Sequence, residues 1–135
     1  MFKERRQFPR ANVRCSINII CDGTVILGEP KDYNFHTYTD NLSEGGMKVI
    51  LEQELKVASL VKLELYITSK KLMPIRCKGM VRWTRRVNPE GTEPHLFDTG
   101  LQFIELDKTD QEMIGNIVNR AMEDRKKNEQ QMDWQ

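Results

Sequence analysis

The sequence predicts an all-β fold, a six-stranded antiparallel barrel or sandwich followed by one C-terminal helix. Three observations carry this expectation. Six short runs alternate apolar and polar residues with a period of two, the pattern of half-buried strands. Clusters of Gly, Pro, Asn and Asp fall between these runs, where turns need them. Helical spacing of apolar residues appears only after residue 109. Strands that follow one another without helices pair antiparallel, and closing the sheet on itself removes its exposed edges.

Each element has its own signal. Residues 1–12 read as an arm, charged and aperiodic, with Pro9 inside it. Cys15, Ile17, Ile19 and Cys21 share one face of a first strand, opposite Ser16, Asn18 and Ile20. Asp22-Gly23 marks a turn and Gly28 to Lys31 a loop. Tyr33 to Thr39, rich in aromatic and β-branched residues, is the second strand. Met47, Val49 and Leu51, alternating with Lys48 and Ile50, make the third. The fourth places Val61, Leu63, Leu65 and Ile67 opposite Lys62, Glu64, Tyr66 and Thr68. After Ser69-Lys70-Lys71 and Pro74, a fifth run sets Ile75, Cys77, Val81 and Trp83 against Arg76, Lys78, Arg82 and Thr84. Gly79 within it suggests a bend or bulge. Asn88 to Pro94 is a long turn, and Gly100 to Glu105 is the sixth strand. Thr109-Asp110-Gln111-Glu112 is a capping box that opens a helix. Met113, Ile114, Ile117, Val118, Ala121 and Met122 form its apolar stripe. After Glu123 the chain is almost wholly polar and is expected to fray; Trp134, alone in that tail, is given no role.

A chain of 135 residues is expected to form one domain, divided into an arm (1–12), a strand-built body (13–106) and a helix with its tail (107–135). The formal net charge is +1, from 21 basic and 20 acidic side chains. No global field favours a long nucleic acid, so an anion site must be local. Three cysteines, Cys15, Cys21 and Cys77, lack CxxC spacing and suit buried, reduced thiols in a cytosol. The charged N-terminus carries no secretory signal, and no stretch approaches the ~20 apolar residues of a membrane span. An enzyme is not expected. His36 and His95 belong to no His/Cys set spaced for zinc, and no other metal site or cofactor is anticipated. Ser43 lacks a nucleophile-elbow context, and there is no glycine-rich phosphate loop with its lysine.

Two polar clusters remain. Arg5-Arg6-Gln7-Phe8-Pro9-Arg10 supplies guanidinium forks, the side chain suited to bidentate phosphate and to the guanine O6/N7 edge. Pro9 restricts the arm's backbone, which lowers the entropy lost when a ligand orders it. Asp40-Asn41-Leu42-Ser43-Glu44-Gly45-Gly46 supplies an amide, a hydroxyl and bare backbone. Asn41 donates and accepts, and turn amides near Ser43 could point at an anion. Gly46 would let a base or phosphate approach its backbone. The plain alternative is a solvated basic arm and an ordinary Ser turn with glycines for the bend.

Together the clusters resemble the PilZ domain family of bacterial cyclic di-GMP receptors. Arg6-Gln7-Phe8-Pro9-Arg10 matches the family's RxxxR, with Arg5 before it, and Asn41-Leu42-Ser43-Glu44-Gly45-Gly46 matches its [D/N]xSxxG. Thirty residues separate Arg10 from Asn41, room for one strand and a loop. Val81-Arg82-Trp83 and Gly100-Leu101-Gln102-Phe103 resemble the family's closing strands, and the likeness covers roughly residues 3–106. The resemblance implies a Greek-key-like antiparallel barrel with a flexible arm in a cytoplasmic bacterial protein. It implies a cyclic di-GMP site made of Arg5, Arg6, Arg10, Asn41, Ser43, Gly45 and Gly46. Arg6 and Arg10 would clamp phosphate and guanine edges, and Arg5 would add a cation or a stacking plane. Asn41 and Ser43 would hold the other guanine edge or a phosphate. Many members carry aspartate where this chain has Asn41, and an amide replaces a carboxylate only in part. Asp40 stands next to it, but alternation points it to the opposite face. The arm would fold over the barrel on binding and present a new surface to an effector protein; one nucleotide or a stacked pair could fill the site.

Two other readings stay open. One is a family-type adaptor that works without nucleotide. The other is a small barrel for single-stranded nucleic acid, with Tyr33, Phe35, Tyr38 and Trp83 as stacking platforms and Arg82, Arg85 and Arg86 as a basic rim.

Overall fold

The computed structural model describes residues 8–28, 31–67 and 73–132. Arg5 and Arg6, the start of the arm, therefore lie outside the described residues, as does Trp134. Six strands run in chain order: β1 (Ser16–Cys21), β2 (Tyr33–Leu42), β3 (Gly46–Leu51), β4 (Leu60–Tyr66), β5 (Ile75–Arg86) and β6 (Phe97–Ile104). They close into an antiparallel barrel in the order β1-β2-β3-β6-β5-β4, and β4 returns to β1. The step from β3 to β4 crosses between non-neighbouring strands, in keeping with the Greek-key-like expectation. Helix α1 (Lys108–Met132) follows.

Alternation fills the interior. Ile17 and Ile19 of β1, Leu42 of β2, Val49 of β3, Leu63 and Leu65 of β4 and Val81 of β5 are each 1 % exposed or less. Side chains of this kind contribute about 1.5–3 kcal/mol each when fully buried, so the barrel centre is packed and any ligand must sit outside it. Helix α1 buries Ile114 and Val118 in the same core, with Met113 and Met122 packed beside them. It lies close to the β2–β3 turn: Gly115 approaches so near that a Cβ there would collide with the Glu44 carboxylate.

Several boundaries and orientations differ from the sequence expectation. β2 continues to Leu42, so Asn41 lies within a strand. β6 starts at Phe97 rather than Gly100, because Asp98 is not a loop residue. Its buried carboxylate accepts a hydrogen bond from Arg85 at 3.0 Å and lies 3.8 Å from the Lys48 ammonium. Gly79 makes no bulge; it pairs in register with Val61 and Phe103. A Cβ there would stand 2.6 Å from Leu63 Cδ1, so close packing accounts for the glycine. The bulge of β5 falls between Val81 and Trp83, and it takes Trp83 off the inner face predicted for it to a position 37 % exposed. A second bulge, in β2 between Thr39 and Asn41, spoils the alternation that assigned Asp40 to the far face.

The helix also differs. It begins at Lys108, and the Asp107 carbonyl accepts from the Gln111 amide at 2.8 Å. Asp107 is thus the N-cap, and Thr109 sits inside the first turn. Nor does it fray after Glu123; it continues to Met132. Glu, Lys, Arg and Gln are good helix formers, and Glu123 and Lys127 are spaced i, i+4 with the acid first. The polarity of this stretch marks an exposed helix rather than the end of one.

Cys15, Cys21 and Cys77 are free thiols, the first two buried. Burial, aided by the Asp22 charge, pushes Cys21 up to about 11; burial and Asp110 do the same for Cys77. These folded pKa values exceed the unfolded ones, so the native state holds more protons between about pH 9 and 11 and loses stability as pH rises through that window. At pH 8 the native thiols should react slowly with an aromatic disulfide reagent, and denaturant should release all three. Prompt reaction of Cys15 and Cys21 in the native state would contradict their placement.

Candidate functional site

The arm reaches the barrel through backbone bonds. The Ala11 amide donates to the Leu42 carbonyl at 3.1 Å, and the Leu42 amide donates to the Ala11 carbonyl at 3.0 Å. Thr39 fastens the next segment: its hydroxyl accepts from the Cys15 amide at 2.9 Å and donates to the Val13 carbonyl. Upstream, Phe8 lies on Gly45, where a Cβ would meet its ring at 3.2 Å. Arg10 is thereby carried to the β2–β3 corner.

That corner borders a hollow of about 570 Å³ on the outside of the barrel, lined by Phe8 and Arg10 from the arm and Ser43 to Lys48 from the turn and β3. Arg82 and Trp83 of β5, Gly100 to Phe103 of β6, and Leu106 and Gln111 near the start of α1 complete it. Its size suits a small molecule, for which sites of roughly 300–1,000 Å³ are usual. A hollow of about 590 Å³ elsewhere is lined by residues including Ile20, Tyr33, Leu60 and Val61 and holds none of the motif residues.

The floor follows from strand register. Asn41, Lys48, Gly100 and Trp83 are successive partners across β2, β3, β6 and β5. Gly100 has no side chain because the Trp83 indole occupies the space a Cβ would need. Trp83 thus lies over Gly100 and lines the hollow together with Lys48, whereas Asn41, on the same register row, is not among the lining residues.

The motif residues divide into ligand candidates and builders. Ser43 is buried, and its hydroxyl accepts from the Gly45 and Gly46 amides, both at 3.2 Å. Its own amide donates to the Gly46 carbonyl at 2.9 Å. The turn amides therefore point at Ser43 rather than at an anion, and Ser43 holds the turn. Gly46 faces the Leu101 carbonyl, where a Cβ would collide, so strand contact by itself accounts for a glycine here. Gly45 seats Phe8. Arg10 lines the hollow, and Asn41 stands on the register row beside it. Sequence reasoning missed Lys48 and Gln102 as lining residues, and it read Arg82 and Trp83 as part of a family-like closing strand and, alternatively, of a nucleic-acid surface, without placing them at this hollow. The period-2 pattern marked Lys48 as outward-facing but did not say which outward residues share a hollow.

The aromatics do not form a continuous platform. Phe35 is in the core, Tyr33 packs against it at 4.5 Å, and Tyr38 lies under the Arg14 guanidinium at 4.3 Å. Trp83 is separate from all three, across the sheet on β5. Among the described residues, no group of three or more His, Cys, Asp or Glu side chains is placed to hold a metal ion, and no helix is long and apolar enough to cross a membrane.

A family model, the PilZ domain, matches residues 4–120. The chain belongs to the PilZ domain family. Solved structures share its fold. The Bacillus subtilis inhibitor of motility MotI/DgrA superposes with a TM-score of 0.68 at 20 % identity, over 90 % of this chain and 53 % of that one. Escherichia coli YcgR in complex with c-di-GMP gives 0.65 at 13 % identity, over 96 % and 51 %. K. pneumonia MrkH in complex with c-di-GMP gives 0.66 at 17 %, over 93 % and 56 %. This PilZ chain spans about half the length of those three proteins. No curated protein matches it by sequence.

The two glycines of the turn should respond differently to a methyl group. Gly46→Ala forces a backbone collision and should lower unfolding stability by about 1–3 kcal/mol, read by urea denaturation. Gly45→Ala meets the Phe8 ring at 3.2 Å and Ser43 Oγ at an ordinary 3.8 Å, with no backbone in the way, and should stay near wild type. Equal effects at both positions would contradict the assigned contacts.

Proposed function

We propose that this PilZ domain is a cyclic di-GMP receptor that passes a nucleotide signal to an effector protein. One observation carries the reading most directly: Phe8 and Arg10 of the arm and Ser43, Gly45 and Gly46 of the corner, far apart in sequence, border one polar hollow. The structures of YcgR and MrkH, of the same fold, hold c-di-GMP.

The ligand's chemistry fits the lining. Arg10, with Arg6 four positions earlier and Arg5 beside it, supplies forks for phosphate and for guanine O6 and N7. Trp83 offers a face on which a base can stack, an interaction of about 1–3 kcal/mol per base. Lys48 and Arg82 add positive charge within the hollow. Asn41 reaches a guanine edge; Ser43, Gly45 and Gly46 give the turn its shape. In this reading the arm (1–12) changes conformation on nucleotide binding, and the surface it then presents is what an effector reads. A bacterial cytoplasmic setting accords with the free thiols.

Calorimetric titration with cyclic di-GMP tests this. Each charge-assisted contact contributes about 1.5–3 kcal/mol, so an Arg6→Ala, Arg10→Ala double variant should bind at least roughly 100-fold more weakly. Wild-type protein binding no better than the double variant would end the proposal.

A further inference from the structure

We infer that Asp40 and Lys48 act as a pair that reads the guanine edge, supplying the carboxylate that position 41 lacks. This rests on the cyclic di-GMP reading above and names the residues that would select the base.

The β2 bulge is the starting point. It sets Asp40 and Asn41 together opposite the single partner Lys48, and Asp40 comes round to the outer face. There the Lys48 ammonium donates to its carboxylate at 2.8 Å. A second carboxylate, Asp98, stands 3.8 Å from the same ammonium; it is nearly buried and is itself held by Arg85 at 3.0 Å. Lys48 is therefore confined between two acids, one of them fixed in the sheet. Lys48 lines the hollow described above, Asp40 lines another of about 330 Å³ with Arg14 and Tyr38, and the ion pair links the two. The Asp40 side chain keeps 46 % of its surface exposed, so the ion pair leaves it accessible.

The chemistry of the bases decides what such a pair recognises. The pairing edge of guanine presents an acceptor, O6, beside two donors, N1–H and N2–H. An ammonium next to a carboxylate presents a donor beside an acceptor, its complement. Adenine presents the reverse order, a donor at N6 and an acceptor at N1, and would set donor against donor and acceptor against acceptor. A site built of fixed polar groups rejects the base that leaves them unpaired. Asn41 cannot do this alone, because its amide can turn either its oxygen or its nitrogen to the ligand. Selectivity needs groups of fixed sign, and Asp40 with Lys48 are the ones beside it.

The test is the ratio of affinities for cyclic di-GMP and cyclic di-AMP. The two share ring and phosphates, so a change in local charge cancels and the ratio reports base reading. Both are titrated calorimetrically into wild type, Asp40→Ala, Lys48→Met and Asn41→Ala, each first checked for a cooperative thermal transition. The expected result is a ratio at least tenfold smaller in Asp40→Ala and in Lys48→Met, and a smaller change in Asn41→Ala. Wild-type selectivity retained in both Asp40→Ala and Lys48→Met, with cyclic di-GMP still bound, would overturn this inference and leave the receptor reading intact. Wild-type protein that binds neither nucleotide would overturn both.

Discussion

Two backbone hydrogen bonds, exchanged between Ala11 and Leu42, hold the candidate site together. Without them the arginine segment and the Asn/Ser/Gly corner belong to different parts of the chain. With them, Arg10 sits beside the end of β2 and Phe8 reaches Gly45. The bonds use main-chain groups alone, so they do not depend on which side chains the arm carries. Thr39 backs the bridge from inside the barrel, taking the Cys15 amide and giving its proton to the Val13 carbonyl. A buried hydroxyl with both roles filled avoids the penalty of an unpaired polar group, about 1–3 kcal/mol.

The barrel places its site outside because its inside is full. Apolar side chains from all six strands meet in the centre, and a packed interior leaves no room for a dinucleotide. A concave outer surface therefore has to come from missing side chains and from bulges. Gly100 yields its space to the Trp83 indole, and Gly46 lets β3 approach the Leu101 carbonyl. The β5 bulge turns Trp83 outward, and the β2 bulge brings Asp40 beside Lys48. Ser43 fixes the turn between β2 and β3 with bonds to Gly45 and Gly46. Glu44, pressed against Gly115, ties that turn to α1, so the helix shares the geometry of the site.

Much of this was legible in the chain. Strict alternation in Cys15 to Cys21 and Val61 to Leu65 marked the inner faces, and both patterns hold. The spacing of the two motifs pointed to the family, and one strand and one loop between them bring Arg10 to the β2–β3 corner. Other features were hidden for physical reasons. A bulge adds one residue to one strand and reverses the side-chain alternation after it, and nothing local announces it. Trp83 and Asp40 were misassigned in this way. The sixth strand was expected only from Gly100, because Arg85 and Lys48, the charges that pair with Asp98, lie far off in sequence. Ser43 and Gly46 matched a ligand motif, yet their nearest partners are the turn itself and a neighbouring strand. A motif records which residues must be present and not whether each touches the ligand.

The convergence of arm and corner on one nucleotide site is tested most directly by amide and indole resonances during titration with cyclic di-GMP. The account predicts a contiguous set of shifts at Arg10 and Ala11, at Gly45 and Gly46, at Lys48 and Gly100, and at the Trp83 indole. The outer faces of β1 and β4 should stay still. Shifts centred on Ile20, Lys62 and Lys78, with the arm and the Trp83 indole unmoved, would contradict it.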